Sequence, residues 1–163
     1  ENITKEASIR GITPERIIFT KRMELSEHLA RHQLADLFLD TLPYNAHTTA
    51  SDALWAGIPV LTLLGNTFPG RVAASLLSAA GMPELITKDR YEYESLAIEL
   101  ANHPIKMAEL KLKLNTNRNH LPLFNSSLYV RNLEKAYEEM VRKYRSGLNP
   151  EHFYVSPMIA EKS

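Results

Sequence analysis

Short apolar runs alternate with longer helical patterns along this chain, and that alternation constrains the fold more than any other feature. Arg16-Ile17-Ile18-Phe19-Thr20, Asp36-Leu37-Phe38-Leu39-Asp40 and Ile58-Pro59-Val60-Leu61-Thr62-Leu63-Leu64 read as buried strands, and Pro83 to Thr87 as a short fourth. A continuous apolar centre marks a strand covered on both faces, which is how parallel sheets sit. Pro59 is compatible with a strand only at its start. Helices are predicted over Ser26 to Leu34, Thr49 to Ala56 and Arg71 to Ala80, with Gly57 and Gly81 as stops. The remainder reads as helical from Arg90 to Asn102, Pro104 to about Asn117 and Ser126 to Ser146, closed by Gly147. The pattern predicts an α/β fold: a Rossmann-like parallel sheet of about four strands with helices on both faces. Residues 1–147 form that lobe, and 148–163, with Pro150, Pro157 and few periodic apolar residues, read as an irregular C-terminal tail.

Composition narrows the function. At 163 residues and 44% hydrophobic, the chain is long and apolar enough to bury one core. The 19 Lys and Arg balance the 19 Asp and Glu, so the sequence-independent attraction that duplex nucleic acid or an anionic membrane needs is missing. With no cysteine there are no disulfides, thiolate nucleophiles or thiolate metal sites, in keeping with a reducing, cytoplasmic setting. No stretch approaches the roughly twenty apolar residues of a membrane span, and the first twenty residues lack the apolar core of a signal peptide.

A parallel sheet presents its binding edge at the carboxyl ends of the strands, so the loops at Thr20 to Leu25, Thr41 to Thr48 and Gly65 to Gly70 should lie together. The most informative of these runs into Asn45-Ala46-His47-Thr48-Thr49-Ala50-Ser51-Asp52, where an apolar strand ends and a helix begins. The first amides of a helix lack intrahelical partners and carry the positive end of its dipole. Two hydroxyls and an imidazole beside them suit the oxygens of a nucleotide diphosphate. A second reading of the same residues is a capping box, with Thr49 as the cap and Asp52 returning the bond. His28 and Arg31, three apart on one predicted helix face, could frame a nucleobase, or could simply be a solvated face paired with Glu24 and Glu27. Neither the dinucleotide fingerprint, the P-loop, HExxH nor GxSxG occurs, and the six histidines show no metal-ligand spacing.

Taken in order, several stretches resemble the C-terminal half of the catalytic region of O-linked N-acetylglucosamine transferases, in particular TPR-containing bacterial-type relatives. They are Arg16-Ile17-Ile18-Phe19, Glu27-His28, Arg31, Gln33-Leu34-Ala35-Asp36, Leu39-Asp40-Thr41, and His47-Thr48-Thr49 with Asp52. Leu54-Trp55-Ala56-Gly57-Ile58-Pro59-Val60, Arg71-Val72-Ala73-Ala74-Ser75 and Pro122-Leu123-Phe124-Asn125 continue the likeness, which covers roughly residues 12 to 147. The resemblance implies the C-terminal half of a GT-B fold, binding a UDP-sugar without a metal or other cofactor. It implies that His28 and Arg31 contact uracil, that His47, Thr48 and Thr49 hold the diphosphate as cap and cradle together, and that Asp52 meets the ribose hydroxyls. It further implies an inverting transfer of N-acetylglucosamine or another hexose from the UDP-sugar to Ser/Thr of a protein.

By the same likeness the acceptor lobe, the TPR repeats, the catalytic base and the first donor-lobe strands with their phosphate-binding lysine would lie upstream of Glu1. No catalytic residue is therefore expected here, and this piece should bind donor without turnover. Two departures stand out. Ala46 replaces the family's glycine before His-Thr-Thr, so the turn must avoid positive φ, and Leu25 replaces a nucleotide-contacting lysine, for which Lys21 or Arg22 could substitute. Other open readings are a noncatalytic interaction lobe, a relative using another nucleotide sugar, and one with an Asn acceptor.

Overall fold

The computed structural model describes residues 2–118 and 120–156. Ten α-helices and strands follow one another among them: α1 (Asn2–Ile9), α2 (Leu25–His32), β1 (Phe38–Leu39), α3 (Thr48–Trp55), β2 (Val60–Leu63), α4 (Val72–Ala79), β3 (Ile86–Thr87), α5 (Arg90–Asn102), α6 (Pro104–Asn117) and α7 (Ser126–Arg145). Residues 148–156 hold no regular secondary structure, and the rest of the expected tail, from Pro157 on, lies outside the described residues.

The sheet is parallel with order β1-β2-β3, each pair joined by a crossover that contains helices, as the sequence predicts. Phe38 N donates to Pro59 O at 2.9 Å and Asp40 N to Leu61 O at 3.0 Å, and Leu64 N donates to Thr87 O at 2.9 Å on the other side of β2. All four residues of β2 are buried, as a strand covered on both faces requires. Helices α3, α4 and α5 pack against it, and Leu54, Ile58, Val60, Leu77, Met82, Leu85, Leu100 and Leu114 fill the space between. Truncating one such leucine to alanine typically costs about 2–5 kcal/mol.

Three strands form among the described residues, not the expected four. The predicted strand at 16–20 is absent: a 3₁₀ turn over Pro14–Arg16 takes its start, and Ile17 N donates back to Pro14 O at 3.0 Å. Beyond it Ile18 and Phe19 are 82% and 64% exposed. Apolar residues supply the composition of a strand, but a strand exists only where a neighbour satisfies its amides and carbonyls, and no described segment pairs with this one. A smaller difference precedes α4, where Pro69 opens a 3₁₀ turn over Pro69–Arg71 before the α-helix begins at Val72.

The carboxyl end of α3 is closed with care. Gly57 adopts φ +88°, which is costly for any residue carrying a Cβ, and turns the chain into β2. Arg118 donates from Nη1 to Trp55 O, and its guanidinium lies 5.1 Å from the Trp55 ring centroid. A cation on the last carbonyls complements the helix dipole, so the two ends of α3 are treated differently.

Candidate functional site

Helix α3 begins one residue earlier than the sequence predicts, and the expected capping box does not form. His47 (φ −110°, ψ −92°) occupies the N-cap and makes no capping side-chain bond; Thr49 is the second helical residue instead of the cap. The intrahelical ladder starts with Ser51 N donating to His47 O at 3.1 Å. The contrast with two other helices is direct. Asp89 accepts from Glu92 N at 2.8 Å at the head of α5, and Asn125 from Leu128 N at 2.9 Å at the head of α7. Imidazole is a poor mimic of the short Ser, Thr, Asp or Asn acceptor, so no side chain caps the first amides of α3.

Those amides face the carboxyl edge of the sheet. Thr48 and Thr49 are exposed, and Asp52 is half-buried, one turn along α3 from Thr48 on the same face. The His47 ring stacks on Tyr44, with centroids 4.9 Å apart and planes 24° from parallel, and meets Phe68 edge-on at 6.3 Å. Its Nε2 lies 3.4 Å from Pro69 O, an outer-limit contact that joins the 41–48 loop to the 65–70 loop. In the second loop Gly65 N donates to Gly70 O at 2.7 Å. A Cβ on Gly70 would lie 3.2 Å from Gly65 Cα, so these two backbones approach closely enough that a side chain there would push them apart by a few tenths of an ångström.

Helix α2, which carries His28 and Arg31, packs against α3. Arg31 Nη2 sits 2.6 Å from His28 Nδ1, and its Nη1 donates to Lys21 O at 3.1 Å. Since a guanidinium only donates, Nδ1 must accept, which assigns the proton of a neutral His28 to Nε2. The His28 carbonyl is 2.8 Å from His32 Nδ1, and the two imidazoles meet edge to face at 4.7 Å. Thus the pair is bonded to each other rather than to Glu24 or Glu27. The same arginine ties the 20–25 loop to α2 through Lys21 O. Leu25 opens α2 and is 65% exposed.

Ala46 resolves one departure. No non-glycine residue among those described has positive φ, so the turn before His47 runs through ordinary backbone space, with Ala46 N donating to Asp40 Oδ1 at 2.7 Å. Spacing and periodicity alone give no site role to Asp40 or to the flanking Tyr44 and Phe68. The available signal for Asp40 was a charge closing an apolar run immediately before a turn. Among the described residues no three His, Asp or Glu side chains converge as a metal site, and no helix is long and apolar enough to cross a membrane.

A parallel sheet with an uncapped helix start at its carboxyl edge defines a Rossmann-like α/β lobe. Residues 1–133 match the sequence model of glycosyl transferase family 41. The chain belongs to that family. It is 41% identical over 150 residues to the probable UDP-N-acetylglucosamine–peptide N-acetylglucosaminyltransferase SEC of Arabidopsis thaliana, covering 91% of this chain and 15% of that protein. Similarity to the UDP-N-acetylglucosamine–peptide N-acetylglucosaminyltransferase of Caenorhabditis elegans is 38% identity over 152 residues, 93% of this chain and 13% of that one. A solved mutant of Thermobaculum terrenum O-GlcNAc transferase superposes with a TM-score of 0.83 at 32% identity, covering 90% of this chain and 28% of its own. The chain therefore spans a small part of the length of these relatives.

Proposed function

We propose that this chain is the donor-binding lobe of a protein O-glycosyltransferase, which moves N-acetylglucosamine or another hexose from a UDP-sugar to Ser/Thr of a protein with inversion at the anomeric carbon. The observation that carries the reading is the uncapped start of α3 at the carboxyl edge of the sheet, with His47 at the cap position and Thr48 and Thr49 following. Negative charge gathers on the leaving diphosphate as the glycosidic bond breaks, and preorganised donors aimed at that charge lower the barrier. In this reading the amides of Thr48, Thr49 and Ala50 and the His47 imidazole meet the phosphate oxygens, and the threonine hydroxyls add donors. No metal is needed for that neutralisation.

The remaining assignments follow the same family. Asp52 takes the ribose hydroxyls, and His28 with Arg31 takes uracil, the guanidinium holding the imidazole through the 2.6 Å contact. The base that activates the acceptor hydroxyl lies outside this chain, as do the surfaces that bind the acceptor protein. The testing experiment is calorimetric titration of the full-length protein with uridine diphosphate and guanosine diphosphate. Tighter binding of the uridine compound is expected, and preference for guanosine diphosphate overturns the base assignment.

One observation favours a second reading. The exposed Leu25 supplies no charge where the resemblance expects lysine, which suits an interaction lobe that has lost its donor. A ligand that binds only the folded state must raise the melting temperature. No rise with millimolar uridine diphosphate would favour that second reading.

A further inference from the structure

Every buried polar residue among those described, namely Asp40, Asn45, Thr62 and Thr87, belongs to one hydrogen-bonded chain. It crosses the sheet at the carboxyl ends of its strands. Thr87 Oγ1 in β3 donates to Thr62 O in β2 at 2.9 Å, and Thr62 Oγ1 donates to Asp40 Oδ2 beyond β1 at 2.6 Å. Asn45 Nδ2 reaches Asp40 Oδ2 and, at 2.8 Å, Thr62 Oγ1. The other carboxylate oxygen of Asp40 accepts from Thr41 N at 2.9 Å and Ala46 N at 2.7 Å. From α5, Tyr93 donates its hydroxyl to Asp40 O at 2.8 Å.

A buried carboxylate is costly to desolvate, and no ion pair involves Asp40 among the described residues. Four neutral donors hold it instead. A carboxylate, with acceptor sites on both oxygens, matches all four donors. Sheet cohesion does not require this arrangement, since backbone ladders and an apolar core already join the strands. What the carboxylate adds is a fixed loop: one oxygen is tied to β2 through Thr62, and the other grips the amide of Ala46, the residue directly before the His47 N-cap.

We propose that Asp40 is a positioning residue that presets the diphosphate cradle, with Thr62 orienting it from the neighbouring strand. It touches no ligand itself; it sets where the α3 amides and His47 stand before the donor arrives. Preorganisation of this kind raises affinity by removing the cost of ordering the loop on binding. The proposal rests on the donor-binding reading above.

Thr62 gives the cleaner test because it lies in the core of β2 and can be altered almost isosterically. In the full-length protein, the dissociation constant for uridine diphosphate is measured by calorimetry, beside the melting temperature, for Thr62→Val, Thr62→Ser and Asp40→Asn. Leu77→Ala, a buried residue of α4, supplies a destabilised control. Thr62→Val and Asp40→Asn are each expected to weaken binding about ten-fold, the equivalent of roughly one hydrogen bond, while Thr62→Ser and Leu77→Ala stay within about two-fold of the parent. Asp40→Asn reads the same axis if Thr62→Val does not fold. Unchanged affinity in the folded valine or asparagine variant overturns the proposal, as does an equal loss in Leu77→Ala, since either outcome leaves the chain a purely structural role. If the parent itself binds no uridine diphosphate, the donor-binding reading fails, and the proposal with it.

Discussion

Replacing His47 with aspartate should make the protein more stable and a worse binder of uridine diphosphate, each relative to alanine at the same position. The comparison with alanine matters because both substitutions remove the imidazole and its contacts with Tyr44 and Phe68. What differs is one carboxylate at the N-cap of a helix that no side chain caps. A good capping acceptor is worth about 1 kcal/mol over alanine, with a few tenths more for negative charge at the positive end of the helix dipole. For a chain of this length, 1 kcal/mol corresponds to about 2–4 °C in melting temperature. The same carboxylate occupies the amides that the diphosphate needs and repels its charge. Thr48 and Thr49 are exposed, so the high-dielectric limit applies, and two unit charges 4 Å apart then repel by about 1 kcal/mol. A diphosphate carries at least two such charges, so the expected loss of affinity exceeds about ten-fold. Differential scanning fluorimetry and calorimetric titration of His47→Asp and His47→Ala read both quantities. Equal affinity in the two variants, or an aspartate variant no more stable than the alanine one, would refute the reasoning that this helix start is open and receives the phosphates.

Other expectations follow from the same geometry. Leu25→Lys at the exposed start of α2 should tighten uridine diphosphate binding about three-fold or more through an added cation where the resemblance places a nucleotide-contacting lysine, with little change in melting temperature; calorimetry checks it. Arg118→Ala removes the donor to Trp55 O and the cation over the Trp55 ring, and should lower stability by about 1–2 kcal/mol in urea titrations, with unchanged slope. Burial, and secondarily the charge of Asp40, holds the Tyr93 hydroxyl above its ordinary pKa. A raised folded-state pKa gives stability that is full below the ordinary phenol value near 10 and lost as pH rises through the folded value. Melting temperature should therefore decline above about pH 10, less steeply in Tyr93→Phe, which should also lose about 1 kcal/mol at neutral pH with the bond to Asp40 O; melting curves from pH 7 to 11 measure both.

The sequence was most legible where the physics is local or where a run is apolar throughout. Helices α5 and α6 begin and end at the residues expected, because Asp89 is a strong cap and His103-Pro104 punctuates the chain between them. The apolar run around Val60 announces a doubly covered strand, and it is the fully buried centre of the sheet. Ile17 to Thr20 has the same composition and forms no strand among the described residues, because composition says nothing about whether a neighbour is present to pair. At the site, the spacing of Thr49 and Asp52 suggested a capping box, yet the helix started at Thr48 and left imidazole in the cap position. That one-residue shift turns the reading from a closed helix end toward an open one, and periodicity cannot resolve it. Asp40 escaped notice for a related reason: its partners Thr62 and Tyr93 are 22 and 53 residues away, and only the fold brings them to it.

A crystal of the full-length protein soaked with uridine diphosphate addresses the central claim without any substitution. The phosphate oxygens are expected within hydrogen-bonding distance of the Thr48, Thr49 and Ala50 amides, with the His47 imidazole alongside. Density for the nucleotide away from the head of α3 would contradict the account.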